Sequence, residues 1–270
     1  MNDLCAVVPY RADAGGIRRR NASVVLRWLA DGGVRTVLAE HSDEPDHDLV
    51  LPATASRLHL PAHSGAFSKA LACNWGVTVA DTPVVALVDA DTFTSMPGFL
   101  ACADAVRQDF DVVRPFGRLV PLDEADTLRL ADGDPFPTTP SPERDDDRSG
   151  ELIPLCGGAV IIRTDTYVRV GGMDETFEGW GGEDDALSIA LERSNVRRAV
   201  LENQAAFHLD HPRALPDRYL HPHYVANVDR AKWWHEAPEA DLARAMSDGA
   251  DRLRRRRTDV NASRELRAGG

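Results

Sequence analysis

The sequence predicts an α/β protein: a mainly parallel, Rossmann-like sheet with helices on its faces. Three observations lead there. Strand-like and helix-like segments alternate through the first two-thirds of the chain. Residues 83–89 form a continuous apolar run that ends in an acid, the pattern of a strand buried on both faces. A chain of 270 residues with 43% hydrophobic content is long enough to cover such a sheet with a core.

The elements follow in order. Residues 4–9 are an apolar strand closed by Pro9 and a polar loop holding Gly15 and Gly16. Residues 21–30 place Val24, Val25, Trp28 and Leu29 on one helical face. Residues 34–39 are a second strand, and 49–60 hold a weaker third. Over 64–80, Phe67, Leu71, Trp75 and Val79 recur at helical spacing. After the strand at 83–89, residues 111–122 carry one or two strands. Residues 123–150 are rich in Asp, Pro and Ser without periodicity and read as a long insertion loop. A strand is expected over 152–163, a helix from Asp184 to about Arg193, and a strand over 198–207. The charged tail from Pro238 onward reads as a helix, with Arg254–Arg257 as its solvated end. The expected organisation is a catalytic unit over 1–235 and a helical tail over 236–270.

A net charge of −12 disfavours a nucleic-acid partner, which needs a broad basic surface. Cys5, Cys73, Cys102 and Cys156 lie far apart in apolar surroundings, as buried free thiols do. No leader pattern opens the chain and no apolar run reaches membrane length, so a cytoplasmic location is expected.

Three segments can carry chemistry. Asp89-Ala90-Asp91 closes the buried strand, at the carboxyl end of a sheet where ligands bind, and paired acids there can share a divalent cation with phosphate oxygens. An ordinary strand-end turn produces the same triplet. Gly179-Trp180-Gly181-Gly182-Glu183-Asp184-Asp185 combines a close-approach backbone, an indole for stacking and acids at a helix start, where the dipole favours their ionised form. Phe207-His208-Leu209-Asp210-His211-Pro212 offers two imidazoles to a transition metal. His221, His223 and His235 would be a separate zinc cluster, though no cysteine joins them.

Taken together, these segments resemble the β1,4-galactosyltransferase and chondroitin-polymerase type of inverting GT-A glycosyltransferases, over most of residues 4–212. The resemblance rests on Val8-Pro9-Tyr10-Arg11, on Phe67-Ser68-Lys69-Ala70 with Asn74-Trp75-Gly76, and on Asp89-Ala90-Asp91. It rests further on Cys156-Gly157-Gly158-Ala159, on His211, and above all on the segment from Gly179 to Asp185. Lys69 departs from the usual Arg, and Cys156 from the usual aromatic.

What the resemblance implies is a GT-A fold and inverting transfer from a UDP-sugar of the Gal, GalNAc, GlcNAc or Glc type to an acceptor hydroxyl. It implies Mn²⁺ or Mg²⁺ on Asp91 and His211, with His208 where some members place a further ligand. Pro9, Tyr10, Arg11, Lys69, Asn74, Asp89 and Ala90 fall at the donor nucleotide, and Glu40 at its uracil or ribose. Gly157, Gly158, Trp180, Gly181, Gly182 and Glu183 fall at donor sugar and acceptor, with Asp184 as general base. The acceptor is a glycan, a lipid-linked sugar or a small molecule, and homo-oligomers are compatible with this reading. Two alternatives compete: an inactive sugar-nucleotide-binding or scaffold domain, and a sugar nucleotidyltransferase. Neither accounts as well for four acids and a glycine-flanked tryptophan.

Overall fold

The computed structural model describes residues 3–63, 65–138, 154–179, 181–212 and 223–268. A seven-stranded sheet forms its centre, in the order β3-β2-β1-β4-β8-β6-β9. These strands are β1 (Leu4–Tyr10), β2 (Arg35–Ser42), β3 (Ala55–Pro61), β4 (Val84–Val88), β6 (Val112–Arg114), β8 (Ala159–Arg163) and β9 (Arg198–Val200). β1 pairs in parallel with β2 and β4, and β2 with β3. β8 runs against both its neighbours, β4 and β6. The expected mainly parallel α/β sheet is therefore present, with one reversed strand.

A second sheet of three short strands, β5 (Thr92–Thr94), β10 (Ala205–His208) and β7 (Arg118–Pro121), stands beside it in that order. The single strand expected over 198–207 is thus two strands in two sheets, β9 and β10, broken by the turn at 201–204. The strand expected over 152–163 begins only at Ala159, and residues 151–153 lie outside the described ones.

The two faces of the sheet bury separate cores. One holds Trp28, Phe93, Phe99, Phe116 and Phe207, gathered under α1 (Ile17–Asp31) and α3 (Met96–Gln108). The other holds Cys73, Val77, Tyr167, Leu187 and Leu191 beneath α2 (Lys69–Ala80), α5 (Thr164–Arg169) and α6 (Glu183–Arg193). All four cysteines are buried and free.

Several elements differ from expectation for identifiable reasons. α1 starts four residues early because the Asp13 carboxylate accepts from the backbone N–H groups of Ile17 and Arg18, capping it from the preceding loop. α2 starts at Lys69, not 64, because the Ser68 hydroxyl accepts from Leu71 N. Its buried face is the small-residue side, Ala70, Cys73, Gly76, Val77 and Ala80, while Phe67, Leu71, Trp75 and Val79 are only half-buried. The close approach explains this: a Cβ on Gly76 would lie 2.3 Å from Val7 Cγ1. Within the expected loop at 123–150, residues Glu124–Ala131 form helix α4, capped by Asp123 and buried through Thr127 and Leu130 against α1. Residues 139–150 lie outside the described ones.

Two helices close the chain, α7 (Tyr224–Glu236) and α8 (Glu239–Ala268). Of the arginines near the middle of α8, Arg254 and Arg255 are exposed as expected, but Arg256 and Arg257 are engaged. Arg256 makes a paired contact with Glu175 and stacks over Trp75, and Arg257 reaches Asp81. Gly249 meets Gly171 so closely that a Cβ on Gly249 would lie 2.4 Å from the Gly171 carbonyl oxygen. α8 is therefore docked on α2 and α5 rather than appended as a tail. No helix among the described residues is long and apolar enough to cross a membrane.

Candidate active site

The acids at the end of β4 are the foundation of the site. Asp89 follows Val88 directly, and its backbone N–H donates to the Gly158 carbonyl at the start of β8 (2.8 Å). Because β8 is antiparallel, its beginning lies where its parallel neighbours end, which sets Gly157 and Gly158 beside Asp89. Gly158 has φ +76°, and a Cβ there would press on Phe116 at 3.1 Å.

The chain leaves Asp91 along β5, and β10 returns antiparallel to it with His208 opposite Thr92. Leu209 N then donates to the Asp91 carbonyl (2.8 Å), so the His208–His211 turn folds back over Asp91. His211 Nε2 lies 3.2 Å from Asp91 Oδ2, and His208 Nε2 lies 3.7 Å from Asp91 Oδ1. One ligand atom from each of Asp91, His208 and His211 falls within 4.8 Å of the others, the one such cluster found among the described residues. The three side chains stay 26–29% exposed and open to a ligand. A carboxylate with two imidazoles is a donor set suited to a divalent metal ion. Burial would raise Asp91, but the hydrogen bond from His211 and the nearby His208 outweigh it and hold the carboxyl at about 2. His211 is raised in turn, chiefly by that hydrogen bond.

Three residues that sequence reasoning missed hold this turn in place. Arg20 and Asn21 donate to the Asp210 carbonyl, at 2.9 and 3.1 Å. The Thr127 hydroxyl accepts from Asp210 N at 2.9 Å. A buried Asn inside the apolar helix α1 was the available signal, since buried amides need partners.

Opposite this cluster, α6 opens with Glu183, Asp184 and Asp185 and has Gly182 (φ +94°) as its N-cap. A Cβ on Gly182 would lie 2.7 Å from Phe177 Cε1, so glycine is required both by conformation and by space. Gly181 also has a positive φ, with open space around it. Trp180 lies outside the described residues. Gly179 N donates to the Phe67 carbonyl (2.7 Å), which ties the glycine segment to the start of α2. Ser188 donates to the Asp184 carbonyl and accepts from Cys156 N, joining α6 to the entry of β8.

Lys69, the first residue of α2, reaches between the two halves. Its ammonium lies 2.7 Å from Asp89, 2.8 and 3.0 Å from the two Asp184 oxygens, and 3.9 Å from Glu183. Burial acts against its charge, but Asp184, Asp89 and Glu183 together push its pKa well above the ordinary lysine range. For Asp184 burial is the largest influence and raises the carboxyl. Lys69 counters it, Glu183 and Asp89 add to it, and the result is about 8.

The nucleotide-side expectations fare unevenly. Arg11 follows β1 and is half-buried, and Ala90 is partly buried against the core beside Asp89. Pro9 is buried within β1. Tyr10 is also buried, its hydroxyl donating to Asp46. Glu40 is fully buried, and its carboxylate already accepts from the Ser42 hydroxyl, Asp46 N and Arg57. It braces the loop after β2 rather than facing a ligand. Asn74 likewise turns inward. Its amide donates to the Met173 carbonyl and Glu175, and its oxygen accepts from Tyr167 and Met173 N. Of the three histidines considered as a zinc cluster, His223 and His235 stand at opposite ends of α7, and His221 lies outside the described residues.

Residues 150–212 match a family model described as the N-terminal domain of galactosyltransferase. No curated protein matches the chain by sequence. Among solved structures, the chain is similar to Staphylococcus aureus TarS 1–349 in complex with UDP-GlcNAc, with TM-score 0.56, 13% identity, and coverage of 92% of this chain and 71% of that one. It is similar to GalNAc-T7 with UDP, GalNAc and Mn²⁺, with TM-score 0.55, 14% identity, and coverage of 91% and 54%. A Drosophila β1,4-galactosyltransferase 7 catalytic domain complexed with xylobiose aligns over 74% of this chain at 14% identity and TM-score 0.41, and this chain spans 65% of its length. The fold is that of GT-A glycosyltransferases, as the sequence resemblance implied, and the matched stretch contains Gly157, Gly158, Glu183, Asp184, His208 and His211.

Proposed function

We propose that the chain is an inverting, divalent-metal-dependent glycosyltransferase that moves a sugar from a UDP-sugar of the Gal, GalNAc, GlcNAc or Glc type to an acceptor hydroxyl. The observation that carries the reading is the convergence of Asp91, His208 and His211 at the carboxyl end of the sheet, with Asp184 across from them. Asp91, His208 and His211 would hold Mn²⁺ or Mg²⁺, which when bound neutralises the charge that develops on the departing diphosphate.

The chain's own groups do the rest. Arg11 contacts uridine or phosphate. Asp89 faces the ribose or donor sugar, against the wall of Gly157 and Gly158. Glu183 accepts from a sugar hydroxyl, and Trp180 offers a ring face for stacking. Asp184 takes the proton of the acceptor hydroxyl as its oxygen forms a bond to the anomeric carbon, and the bond from that carbon to the diphosphate oxygen breaks on the opposite side. A single displacement of this kind inverts the anomeric centre. We place the enzyme in the cytoplasm, on its four buried free thiols, acting on a glycan, lipid-linked or small-molecule acceptor.

The test is thermal stability against a panel of UDP-sugars, with and without Mn²⁺. Stabilisation by a UDP-sugar only in the presence of metal is the expected outcome. A protein indifferent to every nucleotide sugar in both conditions would remove Asp89 and Asp91 from a donor site and leave the inactive-domain alternative.

A further inference from the structure

Lys69 sits where the family resemblance implies a donor contact, yet its geometry describes a different task. An ammonium has three N–H donors and no more. Here they are taken by Asp89 (2.7 Å) and by both oxygens of Asp184 (2.8 and 3.0 Å). The side chain is only 13% exposed, so water replaces none of these partners cheaply. Contact with both carboxylate oxygens fixes the plane of the Asp184 carboxyl, and the third bond ties that plane to the end of β4. Glu183 at 3.9 Å adds a third negative group that would otherwise repel the other two. The location also suits the task. Lys69 is the first residue of a helix whose N-cap, Ser68, donates its hydroxyl to the Phe177 carbonyl, so the lysine and the glycine segment before α6 are positioned together.

We infer that Lys69 is a positioning residue for the proton-accepting carboxylate, linking the donor-side Asp89 to the acceptor-side Asp184, rather than a ligand of the donor diphosphate. The inference rests on the transferase reading above. It also explains why a lysine can stand where the related enzymes carry an arginine. A compact point charge can receive three carboxylate oxygens from two directions, whereas a planar fork favours one partner in its own plane.

The experiment compares Lys69→Met and Lys69→Arg with the parent enzyme, measuring donor affinity in Mn²⁺ separately from steady-state kcat and donor KM. Loss of the positioning contact should lower kcat in Lys69→Met by about 10²-fold while donor affinity stays within about fivefold, because misplacing a reacting group costs rate rather than binding. Lys69→Arg should recover about tenfold of that loss, since it restores the charge in a poorer geometry. A Lys69→Met enzyme that keeps its kcat but binds donor more than about tenfold more weakly would overturn the inference and return Lys69 to the diphosphate.

A second readout does not need turnover. The drop in melting temperature from Lys69→Met should be clearly smaller in an Asp184→Asn background than in the parent, since the two side chains are coupled. Equal drops in both backgrounds would refute the contact, and Lys69→Gln serves the same cycle if the Met variant does not fold. A parent enzyme that binds no nucleotide sugar would overturn the transferase reading, and with it the role of Lys69 in transfer, while the cycle still reports on the Lys69–Asp184 contact.

Discussion

Asp184 carries the sharpest predictions at the scale of single residues. Its replacement by Asn should cut transfer by about 10²- to 10⁴-fold while metal-dependent donor binding persists, as the loss of a positioned base does. Asp91→Asn should do the reverse, removing the metal-dependent thermal shift. Equal loss of donor binding in both variants would refute the division of roles. With Asp184 at about 8 in the free protein, kcat/KM at saturating Mn²⁺ should rise with pH through that value and then level. A flat profile between about pH 6 and 9 would exclude Asp184 as base. The stability sign is opposite. A carboxyl raised on folding costs stability increasingly as pH climbs from the ordinary carboxylate range through about 8, so the parent's melting temperature should carry a downward slope over that window that Asp184→Asn lessens. The sequence set Asp89 and Asp91 at a strand end and Glu183 and Asp184 at a helix start, and the structure has them there, with His208 and His211 folded over Asp91; their roles are those proposed above. Glu40 and Asn74 were misread for a physical reason. A position in a motif does not say which way a side chain turns, and both turn inward to satisfy buried backbone and charge.

Asn74 shows what that inward turn means for an element. Its amide joins the middle of α2 to the 173–175 turn, which Arg256 of α8 grips from the other side. Asn74→Ala leaves buried partners unmatched and should cost about 2–3 kcal/mol, read as a fall in melting temperature of roughly 4–12 °C. Donor affinity should be unchanged, and a selective loss of nucleotide binding without destabilisation would restore the donor role. α2 itself was visible by its period but its buried face was not, because the helix lies against β1 through Gly76 and alanines rather than through its large apolar residues. α4 went unseen because eight residues with two acids and an arginine give too little apolar signal to separate a helix from a loop.

Over the whole molecule, the alternation of strands and helices was enough to read the sheet, and the reversal of β8 was not, since direction is a property of pairing. The boundary at 235 is where the two readings part most. Leu242, Ala250 and Leu253 of α8 are buried, and its arginines hold Trp75, Glu175 and Asp81. Truncation after residue 236 should therefore yield an aggregating or partly unfolded protein, judged by near-ultraviolet circular dichroism and cooperative melting. A truncated chain that melts as cooperatively as the whole would restore the independent unit over 1–235.

The reversed strand has a consequence for how such a fold can change. A strand that runs against its neighbours delivers its first residue to the working edge of the sheet, and whatever precedes it enters at that same edge. Here the described residues 154–158 arrive at that edge and set Gly157 and Gly158 beside Asp89. What joins such a strand to the element before it can change in length and composition while β4 and β8 keep their register. Natural variation in what this architecture recognises should accumulate at that entry first, decoupled from the paired strands that hold Asp89 and Asp91.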